Sequence, residues 1–376
     1  MVYLDYAAST PVNDEVLETY NKLTKEYFAN PNSNHKLGKK SKELIDEYTK
    51  DIALKLGVLP EELIYTSGAT ESNNLAIKGV CERYKSFGKH ILISALEHNS
   101  IVASAVKMQS LGFEVEVVPV RSDGLIDIEA LKKMIREDTI LVSICSVDSE
   151  IGLIQPIDKI EEVLKDYPHC LLHTDATQGF GKINLDLTIP DLVTLAPHKF
   201  YGLTGIGLLI KKKEIGLVPQ IDGGKSTTIY RAGTPELPSI GALDKAIEIA
   251  LKNIDNNYNY VEKLNVLIKD KLKQYKNVVI NSRDNSLPFT INFSIKNVKS
   301  LKVVESLEDK EIYVSAKTSC CPIESPSKLV YALTKDKNIA STSVRISLSH
   351  LTKEEEVTEF LQVFDGIYKK YYKDWK

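Results

Sequence analysis

Asp175 and Lys199 stand at the ends of two short apolar runs, and together they could hold a charged heteroaromatic cofactor. Asp175 closes the run Cys170-Leu171-Leu172-His173-Thr174, and Gln178 follows shortly after. Lys199 follows the run Asp191-Leu192-Val193-Thr194-Leu195 through Ala196, Pro197 and His198, ahead of Gly202, Gly205 and Gly207. A carboxylate can keep a proton on a ring nitrogen, and a lysine can bond an aldehyde as a Schiff base. That pairing is the chemistry of pyridoxal 5'-phosphate. The same two residues also suit a solvated ion pair, and His198 suits a structural histidine, so the elements that place them matter.

Those elements alternate. Short apolar runs near 62–66, 90–94, 139–147, 170–174 and 191–195 read as strands, with helical periodicity between them. Strand–helix alternation predicts a mostly parallel sheet covered on both faces. In such sheets ligands bind beyond the carboxyl ends of the strands. Thr70, His98, Asp148, Asp175 and Lys199 all fall there. Ser67-Gly68-Ala69-Thr70-Glu71 is a small-residue turn between strand and helix. Free N–H groups and a helix dipole there suit an anion, although Ser or Thr ahead of Glu is also an ordinary helix cap. A helical stretch from about 239 to 275, interrupted near Asp255-Asn256-Asn257, leads into a smaller α/β layer. Thr352 with Glu355 reads as a capping box for the last helix.

Composition narrows the class. The chain has 376 residues, of which 43% are hydrophobic and 26% charged, with a net charge of −3. This is a globular composition, long enough for two domains, with no basic excess to bind nucleic acid directly. No apolar run approaches the roughly 20 residues that span a bilayer, and MVYLDYAASTP lacks the pattern of a signal peptide. Five cysteines do not make a disulfide framework in a chain this long. Cys81, Cys145 and Cys170 sit in apolar or helical settings and should be buried, inert thiols. No C-x-x-C pair suggests zinc, and no metal site is expected. The simplest compartment is a reducing cytoplasm.

The motifs carry a resemblance. Asp175-Ala176-Thr177-Gln178, followed by His198-Lys199-Phe200-Tyr201-Gly202, is similar to the D-A-T-Q and S-x-H-K-x-Y-G-P-x-G pattern of the cysteine desulfurases in the class V aminotransferase family. The likeness extends over essentially the whole chain. It implies a fold type I pyridoxal phosphate enzyme. A large domain over 12–250 would hold a mostly parallel seven-stranded sheet, and 1–11 with 251–376 would form a smaller α/β C-terminal domain. By the same resemblance, Gly68, Ala69 and Thr70 cradle the cofactor phosphate, and His98 stacks on the ring and moves protons. Gln178 and His198 tune the ring's surroundings. Thr234, in Arg231-Ala232-Gly233-Thr234, reaches the cofactor phosphate of a neighbouring subunit, which implies a homodimer with composite sites. Asn32, in Asn30-Pro31-Asn32-Ser33-Asn34-His35, belongs to a loop beside the substrate.

The polar, turn-rich segment 317–326 contains Cys320 and Cys321. Cys320 aligns with the family's nucleophilic cysteine, Cys321 has no family role, and nearby Lys317 would favour a thiolate. Arg345, inside Ser343-Val344-Arg345-Ile346-Ser347, matches the arginine that grips the substrate carboxylate; a structural salt bridge is the other use for it there. The implied reaction converts L-cysteine to L-alanine with a persulfide on Cys320. The sulfur acceptor would be an iron–sulfur scaffold protein or a tRNA-thiolating enzyme. This chain departs from the family pattern V-N-N-E-I-G at Asp148 and Ser149. Asp148 adds a charge near the substrate if it points inward, and Ser149 is shorter than the usual asparagine. The phosphate-binding serine is Ala196. A selenocysteine or cysteine lyase, an aminotransferase, and a non-enzymatic regulatory subunit remain alternative readings on the same fold.

Overall fold

The structure is a computed structural model and describes residues 1–224, 226–317 and 325–373. The strands are β1 (Val2–Tyr3), β2 (Leu63–Thr66), β3 (His90–Ser94), β4 (Glu114–Val118), β5 (Thr139–Ser143), β6 (Leu171–Asp175), β7 (Leu192–Leu195), β8 (Gly207–Lys211), β9 (Val278–Ile280), β10 (Thr290–Ile295), β11 (Ile312–Tyr313) and β12 (Ser343–Ser347). The first helices are α1 (Asp14–Glu26), α2 (Lys36–Leu56), α3 (Ala69–Tyr84), α4 (Asn99–Gln109), α5 (Ile128–Met134) and α6 (Ile157–Leu164). They are followed by α7 (Leu237–Lys252), α8 (Ile254–Leu272), α9 (Ser300–Glu308), α10 (Lys328–Thr334), α11 (Lys337–Ser341) and α12 (Glu354–Lys373).

Seven strands form one sheet in the order β2-β8-β7-β6-β5-β3-β4. Only β8 runs against its neighbours β2 and β7. The sheet is therefore mostly parallel, as the alternation predicts. Its central strands are apolar on both faces because helices cover both. Leu192 and Leu209 face a core with α3 and α4, while Val193, Leu195, Leu208 and Ile210 face one with α2 and α7. Neighbouring residues of a strand point to opposite sides, so an unbroken apolar run is what a doubly covered strand requires.

A separate apolar core lies beyond α7. It gathers Val2 and Leu4 with Val261, Ile268, Phe293, Val344, Ile346, Phe360 and Phe364. Phe293 meets Phe364 edge to face with centroids 5.5 Å apart. The antiparallel sheet β12-β10-β9 supplies one side of it, and β1 pairs with β11 in parallel.

Details differ from the sequence reading. The long helix breaks at Asn253, ahead of the expected Asp255. The last helix is capped by Glu356, whose carboxylate accepts the Lys353 N–H at 2.8 Å. Thr352 Oγ1 instead accepts the Ser349 N–H. The expected Thr352–Glu355 box fails because the helix starts one residue later than that pairing needs.

Candidate active site

Parallel strands place their carboxyl ends along one edge, and there the chain builds a cavity of about 430 Å³. β2 leads to Gly68, Ala69 and Thr70; β3 to His98; β5 to Asp148 and Ser149; β6 ends at Asp175; β7 leads through a single 3-10 turn to Lys199. All of these residues line the cavity, as do Gln178, His198 and Arg345. Asn32 and Thr234 do not. Both are exposed. Cys320 and Cys321 fall outside the described residues.

Asp175 is only 6% exposed. Its Oδ1 accepts the Thr177 N–H at 3.0 Å, and its Oδ2 accepts from Asn73 Nδ2 at 2.8 Å. Asn73 Nδ2 also donates to Ser100 Oγ, and the Ser100 hydroxyl lies 2.8 Å from His98 Nδ1. His98 caps α4, its Nδ1 accepting the Ser100 N–H. Cap and site residue are thus one and the same histidine, with its ring held by the helix start. Burial pushes its imidazole below the ordinary value; Asp175 opposes this and Lys199 reinforces it. The preceding Glu97 is buried, and burial raises its carboxyl to about 8.

Lys199 Nζ donates to the carbonyls of Ala7 and Ala8 at 2.9 and 2.6 Å. The N-terminal segment is laced onto the lysine turn: Thr10 N–H and Oγ1 both donate to His198 O, and Tyr201 N–H donates to Thr10 Oγ1. His198 is held near 4 by burial, then by the Lys199 charge, so it is neutral at pH 7. Gln178 is fully engaged. Its Nε2 donates to Ala7 O, and its Oε1 accepts from the buried Lys182 ammonium at 3.1 Å.

Arg345 is 1% exposed. Its Nη1 donates to Ser149 O and its Nη2 to Asp5 Oδ1, each at 2.7 Å, while Nε has no hydrogen-bond partner. It therefore serves as a structural ion pair and still faces the cavity. Asp148 settles one concern raised by the sequence. Its carboxylate accepts the N–H groups of Glu150, Ile151 and Leu153 at 2.7–2.9 Å. The charge organises its own turn and is spent on backbone donors, whatever lines the cavity beside it. Ala196 is fully buried and does not line the cavity.

The residues fit pyridoxal phosphate on three counts. The α3 N-terminus has Gly68 at its cap with no side-chain cap bond, leaving N–H groups open to an anion. Gly68 has φ +154, and a Cβ on it would meet nothing within 4 Å, whereas one on Gly207 would stand 2.6 Å from the Gly68 backbone. β8 can thus press against the turn while the turn opens into the cavity. Thr177 Oγ1, on the cavity wall, is buried without a partner.

The aminotransferase class V family model matches residues 2–360. The chain belongs to the class V aminotransferase family. Members depend on pyridoxal phosphate. A curated relative, cysteine desulfurase IscS of Dictyoglomus turgidum, is 37% identical over 100% of this chain and 98% of its own. A solved NifS-like protein superposes with TM-score 0.91 at 33% identity, covering 97% of this chain and 98% of that one. The structure of SspA in complex with cysteine has TM-score 0.81 at 32% identity, covering 93% and 99%.

Sequence reasoning placed the cavity's charged residues and missed their supports. Asn73 left a faint signal as a polar residue on the sheet-facing side of an amphipathic helix. Asp5 and the Ala7 and Ala8 carbonyls left almost none. Backbone acceptors have no side-chain signature, and the opening residues read as a plain apolar start.

Proposed function

We propose that this class V enzyme is a cysteine desulfurase that converts L-cysteine to L-alanine and leaves the sulfur on Cys320. The observation that carries the reading is one cavity holding a lysine amine, a buried aspartate, an open helix N-terminus and a forked arginine. Full-length similarity to cysteine desulfurases supports the substrate. When bound, pyridoxal phosphate supplies an electron sink for the substrate α-carbon.

The chain's own residues do the rest. Lys199 would hold the cofactor, and its amine or His98 would take and return the α-proton. Asp175, fixed by Asn73 and Thr177, keeps the ring nitrogen protonated. Gly68, Ala69 and Thr70 hold the phosphate. With the cofactor bound, His98 would pack on the ring, Gln178 and His198 would border it, and Arg345 would meet the substrate carboxylate beside Ser149. The Cys320 thiolate attacks the substrate sulfur: the carbon–sulfur bond breaks, a sulfur–sulfur bond forms, and the carbon is protonated. Thiol plus L-cysteine gives persulfide plus L-alanine, with atoms and electrons balanced.

The working unit is proposed to be a homodimer in which Thr234 serves the neighbouring site, with the Asn32 loop beside the substrate. The exposure of Thr234 supports this. Residues 12–250 would form the cofactor domain, and 1–11 with 251–376 the domain carrying Cys320; the core that gathers Val2 and Leu4 with Phe293, Val344 and Phe364 supports that division, while Leu96 and Cys145 pack with Leu329 and Val330 across it. A reducing, cytoplasm-like compartment suits the buried free thiols of Cys81, Cys145 and Cys170. No described helix is long and apolar enough to cross a membrane. The acceptor is proposed to be a protein, either a scaffold for iron–sulfur assembly or a tRNA-thiolating enzyme.

The test is alanine and sulfide release from L-cysteine with added thiol reductant, on wild type and Cys320→Ala. The proposal expects both products from wild type and neither from Cys320→Ala while the cofactor absorbance persists. A fully active Cys320→Ala would point to lyase or aminotransferase chemistry instead.

A further inference from the structure

We propose that the Glu71–Arg231 pair couples cofactor binding to dimer assembly, by tying the phosphate-cradling turn to the segment that carries Thr234. The inference rests on the reading that Thr234 serves the neighbouring site.

Glu71 lies in the first turn of α3 and faces two ways. One carboxylate oxygen, Oε2, accepts the Ser67 N–H at 2.8 Å, within the turn that holds Gly68 and Ala69. The other, Oε1, accepts from Arg231 Nε at 2.9 Å. Both side chains are mostly buried, at 15% and 28% exposure. Burial pushes the Glu71 carboxyl up, but the bonds from Arg231 and Ser67 outweigh it and leave it below its ordinary value. The Glu71 carboxylate is ionised at neutral pH.

Arg231 belongs to a stretch between β8 and α7 with no helix or strand among its described residues. Side chains must hold such a stretch. Tyr230 packs over the Lys211 ammonium, 4.8 Å from ring centroid to Nζ, and Lys211 Nζ itself donates to the carbonyls of Lys212, Lys213 and Ile215. Arg231 is the next anchor. Just past it, Gly233 has φ +125 and Thr234 is exposed. Ile221 and Ile229 on the same stretch are 41% and 69% exposed.

One carboxylate thus bonds both the turn that meets the cofactor phosphate and the stretch that leaves the subunit. A phosphate that orders the turn fixes Glu71, which fixes Arg231 and presents Thr234. A partner subunit that orders the stretch fixes Arg231, which fixes Glu71 and the turn. Each event does part of the ordering the other needs, so the coupling must be reciprocal.

The test follows exchange of subunits between isotopically labelled and unlabelled full-length protein by native mass spectrometry, with and without pyridoxal phosphate. In wild type the cofactor should slow exchange by about tenfold or more; in Arg231→Met the same ratio should fall below about twofold. Glu71→Ala should lower the ratio as far as Arg231→Met does, and the doubly substituted Glu71→Ala/Arg231→Met protein no further, a non-additivity that a general loss of stability does not give. Arg231→Lys, which keeps the charge but loses the planar fork, should fall between and serves if Arg231→Met does not fold. A wild-type ratio near one, or a ratio kept in Arg231→Met and Arg231→Lys, overturns the coupling. A wild type that is monomeric with cofactor bound overturns the composite-dimer reading itself.

Discussion

Arg345 is bound into the structure and, in the proposed function, also meets the substrate carboxylate. Its guanidinium is buried, paired to Asp5 and bonded to Ser149 O, while Nε remains without a partner beside the cavity. Lysine cannot reproduce a planar fork. Arg345→Lys should raise the KM for L-cysteine by about tenfold or more, read from initial rates, and should also lower the melting temperature because Asp5 loses its geometry. Lys182 gives the opposite sign. Burial, then the charges of Lys199 and Arg345, pull its ammonium down to about 7. Between about pH 7 and the ordinary lysine range near 10 the unfolded chain binds more protons than the folded one, so stability rises with pH across that window. The penalty is full below about pH 7. Lys182→Met should therefore raise the stability of cofactor-free protein by about 1–3 kcal/mol at pH 6–7, less the bond to Gln178, and the gain should shrink toward pH 10. Thermal melts across pH check this; a constant difference would contradict it. Of these residues, Arg345 stood out in the sequence because an arginine inside an apolar strand needs a partner. Lys182 did not, since a lysine after a glycine-rich turn reads as surface.

At the level of elements, the strand ends were legible and their fine supports were not. Apolar runs closing on Asp175 and Lys199 predict strands whose carboxyl ends meet, and the parallel order β7-β6-β5-β3 brings them there. The helix break at Asn253 and the cap at Glu356 moved by a residue or two, because several adjacent polar residues satisfy a cap equally well in sequence. The turn after β5 kept one point open in the sequence, whether Asp148 points inward, and Asp148 does line the cavity. A carboxylate there looked like a charge near the substrate, but three backbone N–H groups converge on it. Asp148→Ala would leave those buried donors without acceptors, at a cost of about 2–4 kcal/mol. It would also release the Ser149 carbonyl that holds Arg345. The expected outcome is a lower melting temperature together with a raised KM for L-cysteine. A stable variant with unchanged KM would show that the turn holds without its carboxylate.

For the whole molecule, one apolar core lies between the seven-stranded sheet and α2 and α7, and another is built from β10, β12, α8 and α12. The N-terminal segment joins them: Val2 and Leu4 enter the second core, Asp5 pairs with Arg345, and the Ala7 and Ala8 carbonyls receive Lys199. No sequence pattern announces that path, because it depends on long-range pairing between β1 and β11. Replacing residues 2–4 with Gly-Ser-Gly should thus weaken cofactor binding as well as stability, an effect seen as a slower recovery of visible absorbance when the stripped protein is reloaded. A segment that served stability alone would lower the melting point and leave that recovery unchanged. The large sheet, by contrast, is written in local alternation of strand and helix, which is why its class could be read from sequence.

The most direct test of the central claim is the mass of the peptide carrying Cys320 and Cys321 after the holoenzyme meets L-cysteine without reductant. One added sulfur atom on Cys320, formed together with L-alanine and absent from Cys320→Ala, is the predicted result. L-Alanine formed with no sulfur on Cys320, or with sulfur on Cys321 alone, would contradict the account.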